Sequence, residues 1–191
     1  MYRYVLIESK YATQINQPLI LSLFAEDIAI DGTEETERSL VLFYQHETDA
    51  SFLDIVLNIM SDTFVDLRIY VSHTFPSVEA RDAQLDFVKR LLARIDFNRY
   101  VYLDDRVLVK ENLHRIDREI RSFMLRKYAD DQAMKETIKS YLEANQNMSV
   151  TAKRLFLHRN TLNQRIDKFQ QVTGFDPRRF TDAFLIYHLI S

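Results

Sequence analysis

The chain has 191 residues, of which 47% are hydrophobic, with a formal net charge of −3 and no cysteine. That length suits one medium domain or a modest domain joined to a small one, and the apolar content excludes disorder as the default state. Without cysteine, disulfides and thiolate metal centres are excluded, and the reducing cytoplasm is the expected location.

The opening MYRYVLIESK places Glu8 and Lys10 too early for a secretory signal. The longest uncharged run, Tyr11 to Ala25, contains Pro18 and is too short to span a bilayer, so no membrane partner is expected. Glycine occurs only at Gly32 and Gly174. Phosphate-cradling loops need glycines so that the backbone can approach the ligand, so neither a Walker loop nor a dinucleotide fingerprint can be built. No cofactor is expected.

In chain order, Tyr4 to Ile7 reads as a strand, Pro18 to Ala25 as a short helix, and Ser39 to Tyr44 as a clearer strand. Between them, Asp31-Gly32-Thr33-Glu34-Glu35 reads as an acidic loop, solvated in preference to cation-binding. Phe52, Ile55, Val56, Ile59 and Met60 give Ser51 to Thr63 helical spacing. Asp66 to His73 alternates Leu67, Ile69 and Val71 inward, as a strand with one buried face does. Pro76-Ser77 opens a long helix, with Ser77 its cap and Leu85, Val88, Leu91, Leu92 and Ile95 its stripe. Tyr100 to Leu103 is a last short strand, and Asp104-Asp105 reads as the cap of the helix that follows.

Beyond Val107 the strand signal stops. Leu113, Ile116, Ile120, Phe123 and Met124 line one helix ending near Tyr128, suited to pack on the sheet or to pair with its copy in a dimer. Ala129-Asp130-Asp131 breaks it. The expected fold is therefore mixed α+β. An N-terminal small α/β sandwich, a short sheet with packed helices, covers residues 1–128, and an all-α helix-turn-helix domain covers residues 129–191.

Three helices follow that boundary: Gln132 to Ala144, Val150 to Phe156 capped by Ser149, and Arg159 to about Val172 closed by Thr173-Gly174. A helix-turn-helix needs a small residue where its helices cross, which Ala152 supplies, and apolar anchors in the second helix, which Leu162, Ile166 and Phe169 supply. The opposite face then holds Arg159, Asn160, Asn163, Gln164 and Lys168. Arginine forks onto guanine, and asparagine or glutamine pairs with adenine, so this face suits a major groove. Thr161 and Arg165 are placed for phosphates. His158, taken alone, fits a helix-start or packing histidine better than a base contact. Patterning alone leaves a helix-turn-helix and a plain helical bundle equally open.

Charge is unevenly distributed. Residues 131–191 hold nine Lys/Arg against six Asp/Glu, and Lys153 to Lys168 has five basic residues opposed only by Asp167. A small basic patch on an acidic body is what a DNA-binding module attached to a separate domain would show, and on charge alone an ordinary solvated helix face fits equally well.

The stretch from Tyr141 to Ile190 resembles the C-terminal helix-turn-helix of the PucR/CdaR family of bacterial regulators. Asn145, Asn147, Thr151, Ala152, Leu155, His158, Arg159, Asn160, Thr161, Leu162, Arg165, Thr173 and Gly174 match that family's pattern. The resemblance implies DNA binding through the helix opened by Arg159, and transcription control, commonly as a homodimer and often in response to a metabolite. Asn163 and Gln164 stand where the family often has a basic residue and a tyrosine, which implies a different recognised sequence. Phe156 holds the turn position that many helix-turn-helices give to glycine, though an apolar residue is usual in this family. Leu67 to Leu103 resembles, in order and patterning, the degenerate GGDEF-like middle domain of CdaR-type proteins, without the signature that cyclase activity needs.

The leading expectation is a sequence-specific, DNA-binding transcriptional regulator whose DNA-binding residues are Lys153, His158, Arg159, Asn160, Thr161, Asn163, Gln164, Arg165 and Lys168. Its expected partners are double-stranded DNA, a second copy and an unknown small-molecule effector. The alternative is a protein-interaction adaptor whose helix-turn-helix does not engage DNA, which the overall acidity motivates. An enzyme is not expected. His46, His73, His114 and His188 are scattered without metal-ligand spacing, and no serine sits in a nucleophile elbow.

Overall fold

A computed structural model describes residues 1–12, 16–46 and 50–191. The chain divides into two compact units, Met1–Leu108 and Val109–Ser191. The first has 10 basic and 18 acidic side chains and the second 15 basic and 10 acidic, giving net charges of −8 and +5.

In the first unit the strands are β1 (Arg3–Ser9), β2 (Ile30–Glu35), β3 (Ser39–Tyr44), β4 (Leu67–Val71) and β5 (Tyr102–Leu103). They form one sheet in the order β2-β3-β1-β4-β5, antiparallel except for the parallel β4–β5 pair. The helices α1 (Gln17–Phe24) and α2 (Phe52–Thr63) place Ile20, Phe24, Phe52, Val56 and Ile59 in one cluster with Val5, Ile7, Leu40, Leu42, Leu67 and Ile69. Each helix begins on a side chain that accepts an otherwise orphaned backbone N–H. Asn16 caps α1 and Ser51 caps α2.

The opposite sheet face is also covered, by α3 (Val78–Leu92), which Ser77 caps as expected. This corrects the one-sided reading of Asp66 to His73, because β4 buries Arg68 and Tyr70 as well as Leu67 and Ile69. A buried arginine must be fully partnered. Arg68 Nε donates to Glu8 Oε2 (2.7 Å), Nη1 to the carbonyl of Ile95 (3.0 Å) and Nη2 to that of Leu92 (3.1 Å). It thereby satisfies carbonyls at and just beyond the C-terminal end of α3.

The acidic segment around Gly32 is a strand, not a loop. β2 is the sheet edge, paired only with β3 and irregular between Ile30 and Gly32, and from Thr33 onward its residues are exposed. An edge strand with a solvated face tolerates the acidic, glycine-containing composition that concealed it. Glu34 accepts from Lys89 Nζ of α3 at 2.8 Å. Among the described residues, no group of three or more His, Cys, Asp or Glu is placed to hold a metal ion.

The acidic pair after β5 has two roles rather than one. Asp104 Oδ1 accepts from the backbone N–H of Val107 (3.1 Å) and opens α4 (Asp105–Glu111). Asp105 is buried, accepts from the Tyr70 hydroxyl (2.6 Å) and lies 2.9 Å from His73 Nδ1.

The single helix expected from Leu113 to Tyr128 is broken into a 3-10 turn (Leu113–Arg115), α5 (Arg118–Leu125) and a second 3-10 turn (Arg126–Tyr128). Asp117 makes the break, because its carboxylate accepts from the Ile120 N–H (2.8 Å) and starts α5 afresh. The second unit continues with α6 (Gln132–Glu143), α7 (Met148–Arg154), α8 (Arg159–Thr173) and α9 (Phe180–Ile190). The expected boundary near residue 129 falls inside this unit. The reason is packing: α5 contacts α8 and α9, and the Tyr128 ring stacks on Phe169 at 5.8 Å. No described helix is long and apolar enough to cross a membrane.

Candidate nucleic-acid interface

The arrangement that presents α8 starts in the turn after α6. Asn145 and Gln146 both adopt left-handed backbone, with φ of 51° and 59°, and reverse the chain within three residues. Asparagine tolerates that region better than most residues, which is why the Asn-Gln-Asn cluster marks a turn. The cap of α7 is Asn147, not Ser149 as expected. Asn147 Oδ1 accepts from the N–H groups of Ser149 and Val150, both at 3.1 Å, and this pulls the helix start forward to Met148.

Ala152 is buried where α7 meets α8, as a close helix crossing requires. The connection is sharp. Phe156 has φ of 54° with its ring 96% exposed, and Leu157 N–H donates to the Ala152 carbonyl at 2.9 Å. The turn thus takes the left-handed geometry of a glycine while holding an aromatic residue. His158 then caps α8: its Nδ1 accepts from the Asn160 N–H at 3.2 Å. An accepting Nδ1 puts the proton of the neutral ring on Nε2. His158 is exposed at the helix start, in the role its spacing favoured.

Leu162, Ile166 and Phe169 are fully buried and fix the rotation of α8 about its axis. The face turned to solvent holds Arg159, Asn160, Thr161, Asn163, Gln164 and Lys168, with Lys153 exposed on α7. Arg159, Asn160, Asn163 and Gln164 line one open cleft of about 450 Å³ together with Met148, which sequence reasoning did not single out. Gly174 ends α8 with φ of 79°.

Arg165 stands apart from this group. It is half-buried, and its Nη1 donates to Thr137 Oγ1 on α6 at 2.9 Å. The hydroxyl of Thr137, itself donating to the Ala133 carbonyl at 2.8 Å, is buried. The structure thus engages Arg165 in holding α8 to α6.

Arg178, absent from the expected set, proves central. It lies beyond α8 and before α9, and its Nη2 donates to Asp167 Oδ1 (2.5 Å) and Asn163 Oδ1 (3.0 Å). Its Nη1 lies 3.5 Å from both Asp176 Oδ1 and Gln170 Oε1. Partial burial works against the Arg178 charge, but the hydrogen bond and charge of Asp167, with Asp176 behind, outweigh it and hold the group above its usual value. Nearby, burial raises the Tyr141 hydroxyl, with the Arg178 charge opposing.

Residues 134–189 match the model of the PucR C-terminal helix-turn-helix domain. The second unit carries a PucR-type helix-turn-helix. The chain is 40% identical over 62 residues to YxkF of Bacillus subtilis (strain 168), covering 32% of this chain and 21% of that protein. It is 35% identical over 69 residues to the Purine catabolism regulatory protein of the same organism, covering 36% and 13%. With the Carbohydrate diacid regulator of Escherichia coli (strain K12) the identity is 35% over 54 residues, covering 28% and 14%. The matched stretch therefore spans about a fifth or less of these relatives' own length. A crystal structure of the Regulator of Polyketide Synthase Expression from Bifidobacterium adolescentis superposes with a TM-score of 0.47 at 15% identity, covering 99% of this chain and 78% of that one.

Within the PucR-type match lie all nine residues expected at the interface, Lys153 through Lys168, and also Arg178. Two of these relatives are named as regulators.

Proposed function

We propose that this chain is a sequence-specific, DNA-binding transcriptional regulator of the cytoplasm, that it acts as a homodimer, and that α8 is its recognition helix. The observation that supports this most is the solvent face of α8. Arg159, Asn160 and Gln164 stand together over anchors that are completely buried, so the donors and acceptors are held on a rigid element. Lys153 and Lys168 flank them as phosphate contacts, and Thr161 supplies a hydroxyl at the helix start. Two copies on two half-sites multiply the affinity of one small module. The first unit is the regulatory or dimerising part in this reading, with a small-molecule effector as its input.

Fluorescence anisotropy with labelled duplexes tests the proposal. At low salt the full chain binds duplex DNA, and on a selected site Arg159→Ala weakens binding by about 1–3 kcal/mol. Absence of any binding at low salt favours instead a protein-interaction adaptor, the reading that the net charge of −8 on the first unit supports. Sedimentation on and off DNA reads the dimer directly.

A further inference from the structure

We propose that Arg178 is a positioning residue that sets base preference by locking the side-chain amide of Asn163 in one orientation. The inference rests on the DNA-binding reading above and specifies how one position is read.

Asn163 is exposed on the groove-facing side of α8, beside Arg159, Asn160 and Gln164. Its Oδ1 accepts from Arg178 Nη2 at 3.0 Å, and its Nδ2 donates to Asp167 Oδ2 at 3.0 Å. Arginine can only donate and an ionised carboxylate can only accept. The amide can therefore sit only one way round. Asp167 and Arg178 are themselves joined at 2.5 Å, so the three side chains close a ring of hydrogen bonds.

That ring determines what Asn163 has left to offer. Bidentate recognition of adenine needs the amide oxygen to accept from N6 while the nitrogen donates to N7. Here the oxygen and one N–H are held by the joined Arg178–Asp167 pair. The second N–H and the oxygen's other lone pair are left pointing apart, so a paired contact is lost and a single donor remains. A lone donor matches guanine N7 or O6, thymine O4 and adenine N7 alike, and it fails only at cytosine, which presents a donor. Asn163 in this chain thus disfavours cytosine and lacks the bidentate contact that would favour adenine over guanine and thymine.

The experiment is selection of bound sequences from a random duplex library by the full chain and by Asn163→Ala, Arg178→Ala and Arg178→Lys. The position that loses its preference in Asn163→Ala is the one Asn163 reads. In the wild type that position disfavours cytosine by about tenfold, the scale of one good hydrogen bond, and adenine stays within about twofold of guanine and thymine. Arg178→Ala frees the amide for the bidentate contact and raises adenine about tenfold above guanine and thymine, whereas Arg178→Lys, which keeps a donor, retains the wild-type preference. A merely structural role for Arg178 lowers affinity for all sequences and leaves the base preference unmoved, and that result overturns the proposal. A wild-type preference for adenine at the same position overturns it too. Failure of the wild type to bind any duplex at low salt overturns the DNA-binding reading itself, and so is told apart from both.

A second measurement needs neither DNA nor the alanine variant. In the free full chain the Asn163 side-chain amide is as ordered as the backbone by ¹⁵N relaxation, and Asp167→Asn loosens it. A freely rotating wild-type amide is incompatible with the proposed lock.

Discussion

Arg165 on α8 donates to Thr137 on α6 at 2.9 Å, so a residue expected with Thr161 to grip phosphate also joins two helices of the second unit. Two experiments separate these roles. Arg165→Ala is expected to lower unfolding stability by about 1 kcal/mol, the scale of a partly exposed charge-assisted hydrogen bond. Thr137→Val, nearly isosteric, lowers it similarly by leaving the guanidinium donor without this acceptor. Urea denaturation reads both. If Arg165 works through Thr137, the salt slope of DNA binding by the folded variant stays at the wild-type value. A slope reduced by about one charge assigns Arg165 to phosphate after all.

Among the described residues Lys153 and Lys168 show no such engagement, and both are exposed, on α7 and α8. Lys153→Gln and Lys168→Gln are each expected to weaken binding to every duplex alike and to reduce the slope of log K against log salt by about 1. Thermal stability stays unchanged. A titration series between low and moderate salt provides the measurement.

Asn147 and Ser149 make a paired prediction about the start of α7. Asn147→Ala removes an acceptor shared by two backbone N–H groups and is expected to cost about 1 kcal/mol. Ser149→Ala, inside the first turn, is expected to be neutral or slightly stabilising, because alanine is the better helix former. Equal losses in both variants show the cap to be misassigned.

The two left-handed positions that flank α8 should respond with opposite sign. At Gly174 an added Cβ meets open space, so Gly174→Ala costs only the backbone strain of φ 79°, about 1 kcal/mol. At Phe156 the strain is already present and the ring is almost wholly exposed. Phe156→Gly relieves that strain while loosening the unfolded chain, for a net gain of about 0.5 kcal/mol. Calorimetric melting temperatures moving apart in this way check both.

How much was legible in the sequence depended on how local the deciding interaction was. Ser77 capping α3, Ser39–Tyr44 as a strand, and the buried Leu162, Ile166 and Phe169 were readable because periodicity and caps act over a few residues. β2 was hidden because an edge strand with a solvated face has a loop's composition. Asp117 interrupts an apolar stripe that continues on both sides of it, so spacing alone runs straight through the break. Arg178 was missed because its partners Asn163 and Asp167 lie 15 and 11 residues away, across a turn. The Asn163–Asp167 spacing of one helical turn was the available hint, but it gave no sign of a third member.

The opposite charges of the two units, −8 and +5, bear on kinetics as well as on affinity. A molecule so divided carries charge of opposite sign on its two units. In the field of a polyanion it experiences a torque before it makes any contact. Approach to a duplex then favours encounters led by the basic second unit, and encounters led by the acidic first unit are repelled. Orientation of this kind raises the association rate while leaving the dissociation rate nearly untouched, and it fades as added salt shortens the reach of the field.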